Sequence, residues 1–231
     1  MDWLLSGVEE RGFASVPFAL PVDERRRLLD GLATQIAPDG PRGGIRLRSA
    51  AVPAVRHVAT GATMRTIASR VLGAAAFPVR AIYFDKTTSA NWKVAWHQDL
   101  TIAVRARIDR DGFGPWSVKD GVTHVQPPVG VLERMVAVRL HFDDCTSSNG
   151  PLRVIPGSHT SGRLSAPDIA TIRARAAEHL CLADAGDLLV LRPLLLHASS
   201  PATEPGHRRV LHIEYACEPL PAGLEWLEPC A

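Results

Sequence analysis

The chain has 231 residues, of which 46% are hydrophobic and 22% are charged, and its formal net charge is +2. This composition is ordinary for a globular protein with a substantial core, and we expect residues 1–231 to form one domain. The small net charge argues against a nucleic-acid partner, and no apolar run approaches the length of a membrane span.

The cysteines and the N-terminus bear on the cellular compartment. The four cysteines form no Cys-x-x-Cys pair and are too sparse for a disulfide framework, which favours reduced thiols. The N-terminus lacks the basic start and apolar run of a secretory signal. The sequence therefore predicts a cytoplasmic protein.

The first third of the chain has helical periodicity. Residues 23–36 place leucines and an isoleucine on one stripe, and residues 63–72 do the same before Gly73, a favourable helix stop. We therefore expect residues 1–78 to be a mostly helical scaffold that packs on one sheet of a larger β-structure.

The rest of the chain reads as short strands separated by Pro, Gly and Asn. Strands are predicted at residues 79–84, 136–142, 188–191 and 210–216. This order predicts a mainly β protein with a jelly-roll, cupin-like core over residues 79–217. Residues 105–128 form a long polar connection, so we expect a lid or substrate loop within residues 101–128.

A His-x-Asp pair is the first sign of chemistry. His97 and Asp99 share one face of an extended segment, and His197 follows about a hundred residues later, with Arg208 eleven positions beyond it. Two imidazoles and a carboxylate suit a redox-active iron(II), and a nearby guanidinium suits the carboxylate of an oxo-acid. A His-x-Asp pair alone is weak evidence, because histidines are commonly core or surface hydrogen-bonding groups.

Strand alternation suggests further pocket residues. Arg139 and His141 share the polar face of the predicted strand 136–142, where Arg139 could bind an anionic substrate or form a structural ion pair. Arg208, His212 and Glu214 share a face of the last predicted strand. His212 and Glu214 could therefore approach the pocket, or they could pair with each other.

Two residues in polar segments are weaker candidates. Lys86 precedes the metal motif and could contact co-substrate or substrate, although a solvated loop is the commoner place for such a lysine. His124 lies in an extended, proline-limited segment and could line the entrance, although a lone loop histidine usually binds nothing.

Taken together, several motifs resemble the phytanoyl-CoA dioxygenase family, which includes the ectoine hydroxylases. The resemblance covers most of the chain and rests on these segments: Glu10-Arg11-Gly12-Phe13, Trp96-His97-Gln98-Asp99, Asn149-Gly150-Pro151 through Pro156-Gly157-Ser158-His159, His197-Ala198-Ser199, and Arg208. The resemblance implies a double-stranded β-helix that binds iron(II) through His97, Asp99 and His197.

The same resemblance implies a set of contacts to 2-oxoglutarate. Arg208 and Ser199 match the positions that hold its distal carboxylate, and Trp116 with Asp120-Gly121 is similar to an element beside the co-substrate in ectoine hydroxylases. Residues 102–115 have no counterpart in the family members considered. Halogenating relatives are expected to lack a carboxylate at position 99, so Asp99 favours hydroxylation.

The leading hypothesis is an iron(II)- and 2-oxoglutarate-dependent dioxygenase that hydroxylates a small molecule with dioxygen. A cupin-like, non-oxidative metalloenzyme is the second hypothesis, and a noncatalytic ligand-binding protein on the same scaffold is the third. Arg208 and Ser199 argue against the second, and an intact metal triad argues against the third. No strongly basic patch suits the phosphates of coenzyme A, so a free small molecule is the expected substrate.

Overall fold

The computed structural model describes residues 2–17, 19–33, 44–47, 52–221 and 223–228. The described residues form six α-helices and thirteen β-strands. The helices are α1 (Asp2–Ser6), α2 (Val22–Ala33), α3 (Pro53–Thr60), α4 (Ala62–Leu72), α5 (Val129–Glu133) and α6 (Ala166–Arg175). The strands are β1 (Phe13–Val16), β2 (Ile45–Leu47), β3 (Phe77–Lys86), β4 (Val94–His97), β5 (Ile102–Val104), β6 (Trp116–Lys119), β7 (Val122–Val125), β8 (Met135–His141), β9 (Leu152–Val154), β10 (His179–Cys181), β11 (Leu188–Leu191), β12 (His197–Ser199) and β13 (Arg208–Ala216).

The strands form three antiparallel sheets. The major sheet has the order β1-β11-β8-β13-β3-β2, and the minor sheet has the order β10-β9-β12-β4. A third, three-stranded sheet has the order β5-β7-β6. The major and minor sheets form the predicted jelly roll, in which distant segments become neighbours.

The helices cover one face of the major sheet. Alternate residues of β8 and β13 point toward α2, α3 and α4 and are apolar, because a buried sheet face needs an apolar partner. Residues from both layers form one buried cluster: Leu28, Leu32, Val55, Val58, Met64, Ile67, Val136, Val138, Leu140, Leu211, Ile213 and Tyr215. The prediction of N-terminal helices packed on one sheet is therefore confirmed.

The predicted helix at residues 63–72 agrees closely with α4, and Gly73 ends it with a φ of 67°. The helix predicted at residues 23–36 corresponds to α2, but the last part of that prediction lies outside the described residues. None of the helices in the described ranges has the length and apolar character needed to cross a membrane.

The prediction that residues 105–128 form one long connection is wrong, because residues 116–125 form an ordered hairpin. Strands β6 and β7 pair across Asp120 and Gly121, whose φ angles are 50° and 75°. Asp-Gly is favoured in two-residue hairpin turns, where both central residues need a positive φ. The sequence thus contained the signal for this hairpin. A lid or substrate-loop role for residues 101–128 remains a prediction.

Candidate active site

Three predicted metal ligands converge where two strands of the minor sheet meet. His97 ends β4 and lies directly opposite His197, which begins β12. The Nε2 atoms of His97 and His197 lie 3.8 Å and 3.6 Å from the two carboxylate oxygens of Asp99. One ligand atom from each residue lies within 4.8 Å of the others, so the three side chains can hold one metal ion.

Backbone hydrogen bonds fix the orientation of both imidazoles. His97 Nδ1 lies 2.9 Å from the carbonyl oxygen of Ala95, and His197 Nδ1 lies 2.8 Å from that of Leu195. A carbonyl can only accept, so each Nδ1 carries the proton and each Nε2 keeps a lone pair. The two lone pairs face Asp99, as metal ligation requires.

The charge states of the triad also suit a cation. Burial lowers the pKa of His197 to about 4, so its imidazole is neutral at physiological pH. Burial tends to raise the pKa of Asp99, but His197, His212, His97 and Arg80 together hold it well below its usual range. Asp99 therefore presents a carboxylate and His197 a neutral nitrogen donor to a cation.

The residue between His97 and Asp99 anchors the motif. The side chain of Gln98 is buried and points away from the ligands. Its amide nitrogen donates to the carbonyl oxygens of Gly162 and Leu194, and its amide oxygen accepts from the backbone nitrogen of Leu164. These three bonds connect the metal motif to two other segments of the chain.

The triad opens into a cavity of about 100 Å³ between the two main sheets. The side chain of His97 is 41% exposed and that of Asp99 is 26% exposed, whereas that of His197 is only 6% exposed. The cavity therefore reaches solvent on the His97 side. The lining residues are Ile82, Phe84, Lys86, Trp92, Val94, His97, Asp99, Arg139, Leu152, His197, Ser199, Arg208 and His212.

Three cations line this cavity, and none of them has a carboxylate partner among the described residues. Lys86, Arg139 and Arg208 are 1%, 7% and 3% exposed, so water solvates them poorly. Burial, and then the charge of Arg208, lowers the pKa of Lys86 to about 8 and that of Arg139 to about 10. A buried, unpaired positive charge is unfavourable, so this cluster calls for an anionic ligand.

Register explains how these cations meet. Lys86 ends β3 directly opposite Arg208 at the start of β13. Arg139 of β8 lies opposite His212 of β13. His212 is four residues after Arg208 and points to the same face of the sheet. Because opposite residues in an antiparallel pair share a face, all of these side chains point between the sheets.

Lys86 is held by the last residue of β12 and by the residue that follows it. Its Nζ donates to Ser199 Oγ at 2.7 Å and also to the carbonyl oxygen of Ser200. Gly150 packs against the same site with a φ of 75°, and a Cβ there would lie 2.8 Å from Lys86 Nζ. The glycine of the Asn-Gly-Pro segment is thus needed for the close approach of this loop to Lys86.

A polar chain crosses the inner face of the major sheet. Arg139 Nη1 donates to His212 Nδ1 at 3.2 Å, and His212 Nε2 lies 3.4 Å from Glu214 Oε1. Glu214 in turn pairs with Arg80. His212 therefore lines the cavity and also contacts Glu214, whereas Glu214 itself is not in the cavity wall. Arg139 has no ion pair in the described structure.

Two predicted site residues lie elsewhere. Trp116 is not in the cavity wall, because alternation in β6 directs it to the opposite face, into a cluster with Val125 and Trp226. The guanidinium of Arg107 lies 5.5 Å from its ring centroid. Trp116 therefore lies outside the wall of this cavity, and the contact with the co-substrate that the resemblance implied stays a prediction.

His141 is on the inner face, opposite Val210, but it does not line the cavity. Neither ring nitrogen has a hydrogen-bond partner among the described residues. Burial, together with the charges of Arg139 and Arg208, lowers its pKa to about 3. A neutral ring is the form compatible with this cationic environment, and direct contact with a ligand in the cavity is not supported.

Sequence reasoning missed part of the cavity wall. Arg80, Ile82, Phe84 and Lys86 follow one another at every second position of β3 and so share its inner face, and this period of two was available in the sequence. The predicted strand ended at Phe84. Pairing with β13 extends the strand to Lys86 and turns that lysine inward.

Comparisons with known proteins agree with this arrangement. The sequence model of the phytanoyl-CoA dioxygenase family matches residues 41–210, which is most of the chain. The chain therefore belongs to the phytanoyl-CoA dioxygenase family, and the resemblance predicted from its motifs is confirmed. No curated protein matches the chain.

Solved structures with the same fold include enzymes of several kinds. The alpha-ketoglutarate-dependent carbocyclase SnoK from nogalamycin biosynthesis has a TM-score of 0.70 at 16% identity, covering 94% of this chain and 83% of its own. The alpha-ketoglutarate-dependent epimerase SnoN from nogalamycin biosynthesis has a TM-score of 0.69 at 15% identity. The match covers 100% of this chain and 95% of SnoN. EctD from S. alaskensis, solved with 2-oxoglutarate and 5-hydroxyectoine, has a TM-score of 0.70 at 18% identity. The match covers 92% of this chain and 74% of EctD. These similarities confirm the predicted double-stranded β-helix.

Proposed function

We propose that this protein is an iron(II)- and 2-oxoglutarate-dependent dioxygenase that hydroxylates a small molecule. In the overall reaction, 2-oxoglutarate, dioxygen and the C–H bond of the substrate give succinate, carbon dioxide and an alcohol. The whole chain serves as one catalytic domain in this proposal. The three free cysteines among the described residues, Cys145, Cys181 and Cys217, support a reducing, cytoplasmic setting.

The residues present fit an iron(II) centre. His97, Asp99 and His197 offer the two-imidazole, one-carboxylate set typical of non-haem iron(II) oxygenases, with the opposite side open toward the cavity. When bound, iron(II) with 2-oxoglutarate supplies the activation of dioxygen. Retention of a carboxylate at Asp99 favours hydroxylation over halogenation, because halide has no vacated ligand position.

The observation that carries the proposal is the set of three buried cations beside the triad. 2-Oxoglutarate carries two carboxylates, and the guanidinium of Arg208 can bind one of them with two parallel hydrogen bonds. Lys86 adds a second positive charge opposite Arg208, while Ser199 holds the lysine in place. A non-oxidative cupin-like enzyme needs no carboxylate clamp at this spacing, and a noncatalytic ligand-binding protein needs no metal triad beside the cations.

The chain's own residues then act by binding and positioning. Arg208 and Lys86 hold the distal end of the co-substrate, and Arg139 places further positive charge toward the triad. Ile82, Phe84 and Leu152 line the space between with apolar surface and limit the entry of water. His212 keeps Arg139 directed into the cavity through its Nδ1.

The test is an anaerobic titration of the full chain with iron(II) and 2-oxoglutarate, followed by visible absorption. We expect a weak metal-to-ligand charge-transfer band that requires both additions, and succinate release after oxygen is admitted. His97→Ala should abolish the band, because it removes one of three metal ligands. The exposed His57→Ala variant is the matched control and should retain it. A band that survives in His97→Ala, or that never forms with the intact chain, would contradict the proposal.

A further inference from the structure

Asn91 joins two segments of the chain that contribute residues to the cavity wall. Its Nδ2 donates to the carbonyl oxygen of Ala202 at 2.9 Å, and its Oδ1 accepts from the backbone nitrogen of Ala202 at 2.6 Å. One side-chain amide therefore satisfies both backbone polar groups of one residue. The two residues are 111 positions apart. The pair of bonds thus connects the link between β3 and β4 to the chain that follows β12.

The first of these segments is a tight turn between β3 and β4. The backbone nitrogen and oxygen of Thr87 bond those of Ala90 in both directions at 3.2 Å, which closes the turn. Lys86 before the turn and Trp92 after it both line the cavity, and Lys86 Nζ lies 5.8 Å from the centroid of the Trp92 ring. Asn91 directly precedes Trp92, so the chain is anchored within one position of the cavity wall.

The second segment holds the ammonium group of Lys86. Ser199 Oγ accepts from Nζ at 2.7 Å, and the carbonyl oxygen of Ser200 accepts as well. The Ser199 hydroxyl donates to the carbonyl oxygen of Gly150 at 3.0 Å, so its single proton is already in use. Ser199 and Ser200 therefore both serve the lysine as acceptors. Ala202, the anchored residue, follows Ser200 by two positions.

These acceptors compensate for an unfavourable position of the lysine. Lys86 is 1% exposed and lies opposite Arg208 in the sheet, so two positive charges are neighbours where water solvates them poorly. Arg139 adds a third cation to the cavity wall, and the Cys145 thiol near Lys86, whose pKa is raised by burial, is neutral. Without a bound anion, hydroxyl and carbonyl oxygens must keep the ammonium group in place and protonated.

We propose that Asn91 is a positioning residue of the co-substrate site. It holds the chain at Ala202 so that the carbonyl of Ser200 stays within reach of Lys86, and it thereby keeps the ammonium group beside Arg208 before an anion binds. Asn91 itself is not in the cavity wall, so it acts through the lysine. The part that Asn91 plays in co-substrate binding rests on the proposed function, whereas the dependence of Lys86 on Asn91 does not.

The first test needs neither metal nor co-substrate. The chain has only three lysines, so the side-chain NMR resonances of Lys86 can be resolved and assigned from their loss in Lys86→Met. Burial, and then the charge of Arg208, lowers the pKa of Lys86 to about 8. Asn91→Ala should lower this pKa further, because the ammonium group loses an accepting carbonyl.

The second test is a double-mutant cycle, read as the Kd for 2-oxoglutarate in anaerobic calorimetric titrations with iron(II) near neutral pH. Asn91→Ala should raise this Kd by about fivefold. In the Lys86→Met background the same change should raise it by less than about 1.5-fold, because the group through which Asn91 acts is missing. The fall of affinity with rising pH should also begin at a lower pH in Asn91→Ala. A general loss of structure would persist in the Lys86→Met background.

Ser89→Ala is the matched control. Ser89 is an exposed residue of the same turn, and its hydroxyl lies 3.2 Å from that of Thr87. This variant should leave the titration of Lys86 and the Kd unchanged. If Asn91→Ala is poorly folded, exchange of the Ala202 amide hydrogen replaces it. Because coupling is reciprocal, saturating 2-oxoglutarate should slow this exchange in the wild type but not in Lys86→Met.

Three results would overturn the positioning role. They are an unchanged titration of Lys86 in Asn91→Ala, an equal loss of affinity with and without Lys86, and equal protection of the Ala202 amide in the wild type and in Lys86→Met. Failure of the proposed function gives a different result. If 2-oxoglutarate does not bind the wild type while Asn91→Ala still lowers the pKa of Lys86, the co-substrate assignment fails and the positioning of the lysine stands.

Discussion

The two faces of the same strands, β8 and β13, are both buried but differ in chemical character. Outward-facing residues such as Leu140 and Leu211 are fully buried against the helices and are wholly apolar. Inward-facing residues one position away, such as Arg139, His212 and Glu214, are almost as buried but carry charge or polar groups. Burial alone therefore does not separate the core from the site, whereas the chemical character of each face does.

The comparison separates stability from function within one element. The outward face supplies hydrophobic stabilisation, which amounts to roughly 25 cal/mol per Å² of apolar surface removed from water. The inward face contains positive charges without carboxylate partners, which destabilise the ligand-free fold and favour binding of an anion. Mutations on the two faces should consequently change different observables.

The largest expected effect on the inward face is that of Arg208→Met. Loss of this guanidinium removes a buried, charge-assisted contact to the co-substrate, so the Kd for 2-oxoglutarate should rise by about 100-fold or more. The free energy of unfolding without ligand should stay the same or increase. Calorimetric titration and urea denaturation measure these two quantities.

Arg209→Met is the matched control for that variant. Arg209 is the next residue, but its side chain points away from the cavity and pairs with Asp143 at 2.6 Å. The Arg209→Met variant should lose a little stability and keep the wild-type affinity for 2-oxoglutarate. Equal loss of affinity in both variants would contradict the assignment of Arg208.

Leu140→Ala tests the outward face. Truncation of this buried side chain leaves a cavity against the helices. The free energy of unfolding should therefore fall by about 2–5 kcal/mol. The Kd for 2-oxoglutarate, measured on the folded fraction, should not change. A large change in Kd without loss of stability would mean that the two faces are not separable in this way.

The change of co-substrate affinity with pH should be smaller than the change caused by Arg208→Met. It reports on the protonation of Lys86. Only the protonated ammonium favours a dianion, and the pKa of Lys86 is lowered to about 8 by burial and by the neighbouring Arg208. Affinity should therefore be level below that pH and fall as pH rises through it, by about tenfold between pH 7 and pH 9. Lys86→Met should bind weakly with a flat profile, and a steep profile in this variant would assign the titration to another group.

The smallest effect is expected for Trp116→Phe. Trp116 lies in the apolar cluster behind the three-stranded sheet, outside the cavity wall. Its replacement should change the Kd for 2-oxoglutarate by less than about twofold, with a modest loss of stability. A large loss of affinity in titration would restore the role that the resemblance implied for this tryptophan.

Local patterns predicted four of the thirteen strands, β3, β8, β11 and β13, and the His97–Asp99 pair. The period of two in β8 and β13 indicated correctly which residues share a face, because alternation is a property of a single strand. His97 and Asp99 were found for the same reason, since they are two positions apart in one extended segment. His197 and Arg208 were singled out by residue type and order along the chain, and the resemblance to the family then supported them as partners of this pair.

Features that depend on pairing between distant segments could not be predicted in this way. The inward position of Lys86 follows from its register with Arg208, 122 positions later by sequence number. The pairing of Arg80 with Glu214 likewise depends on β3 and β13 being neighbours. The β6–β7 hairpin is different, because its Asp120-Gly121 turn was visible locally and was overlooked.

The anchoring of Gln98 has a consequence for the order of events during synthesis. Its hydrogen-bond partners at residues 162, 164 and 194 leave the ribosome well after the His97–Asp99 motif itself. A nascent chain therefore lacks the groups that hold this motif in shape until most of its length has emerged. The complete set of metal ligands, and the bonds that hold the motif in shape, can therefore form only after residue 197 has been synthesised.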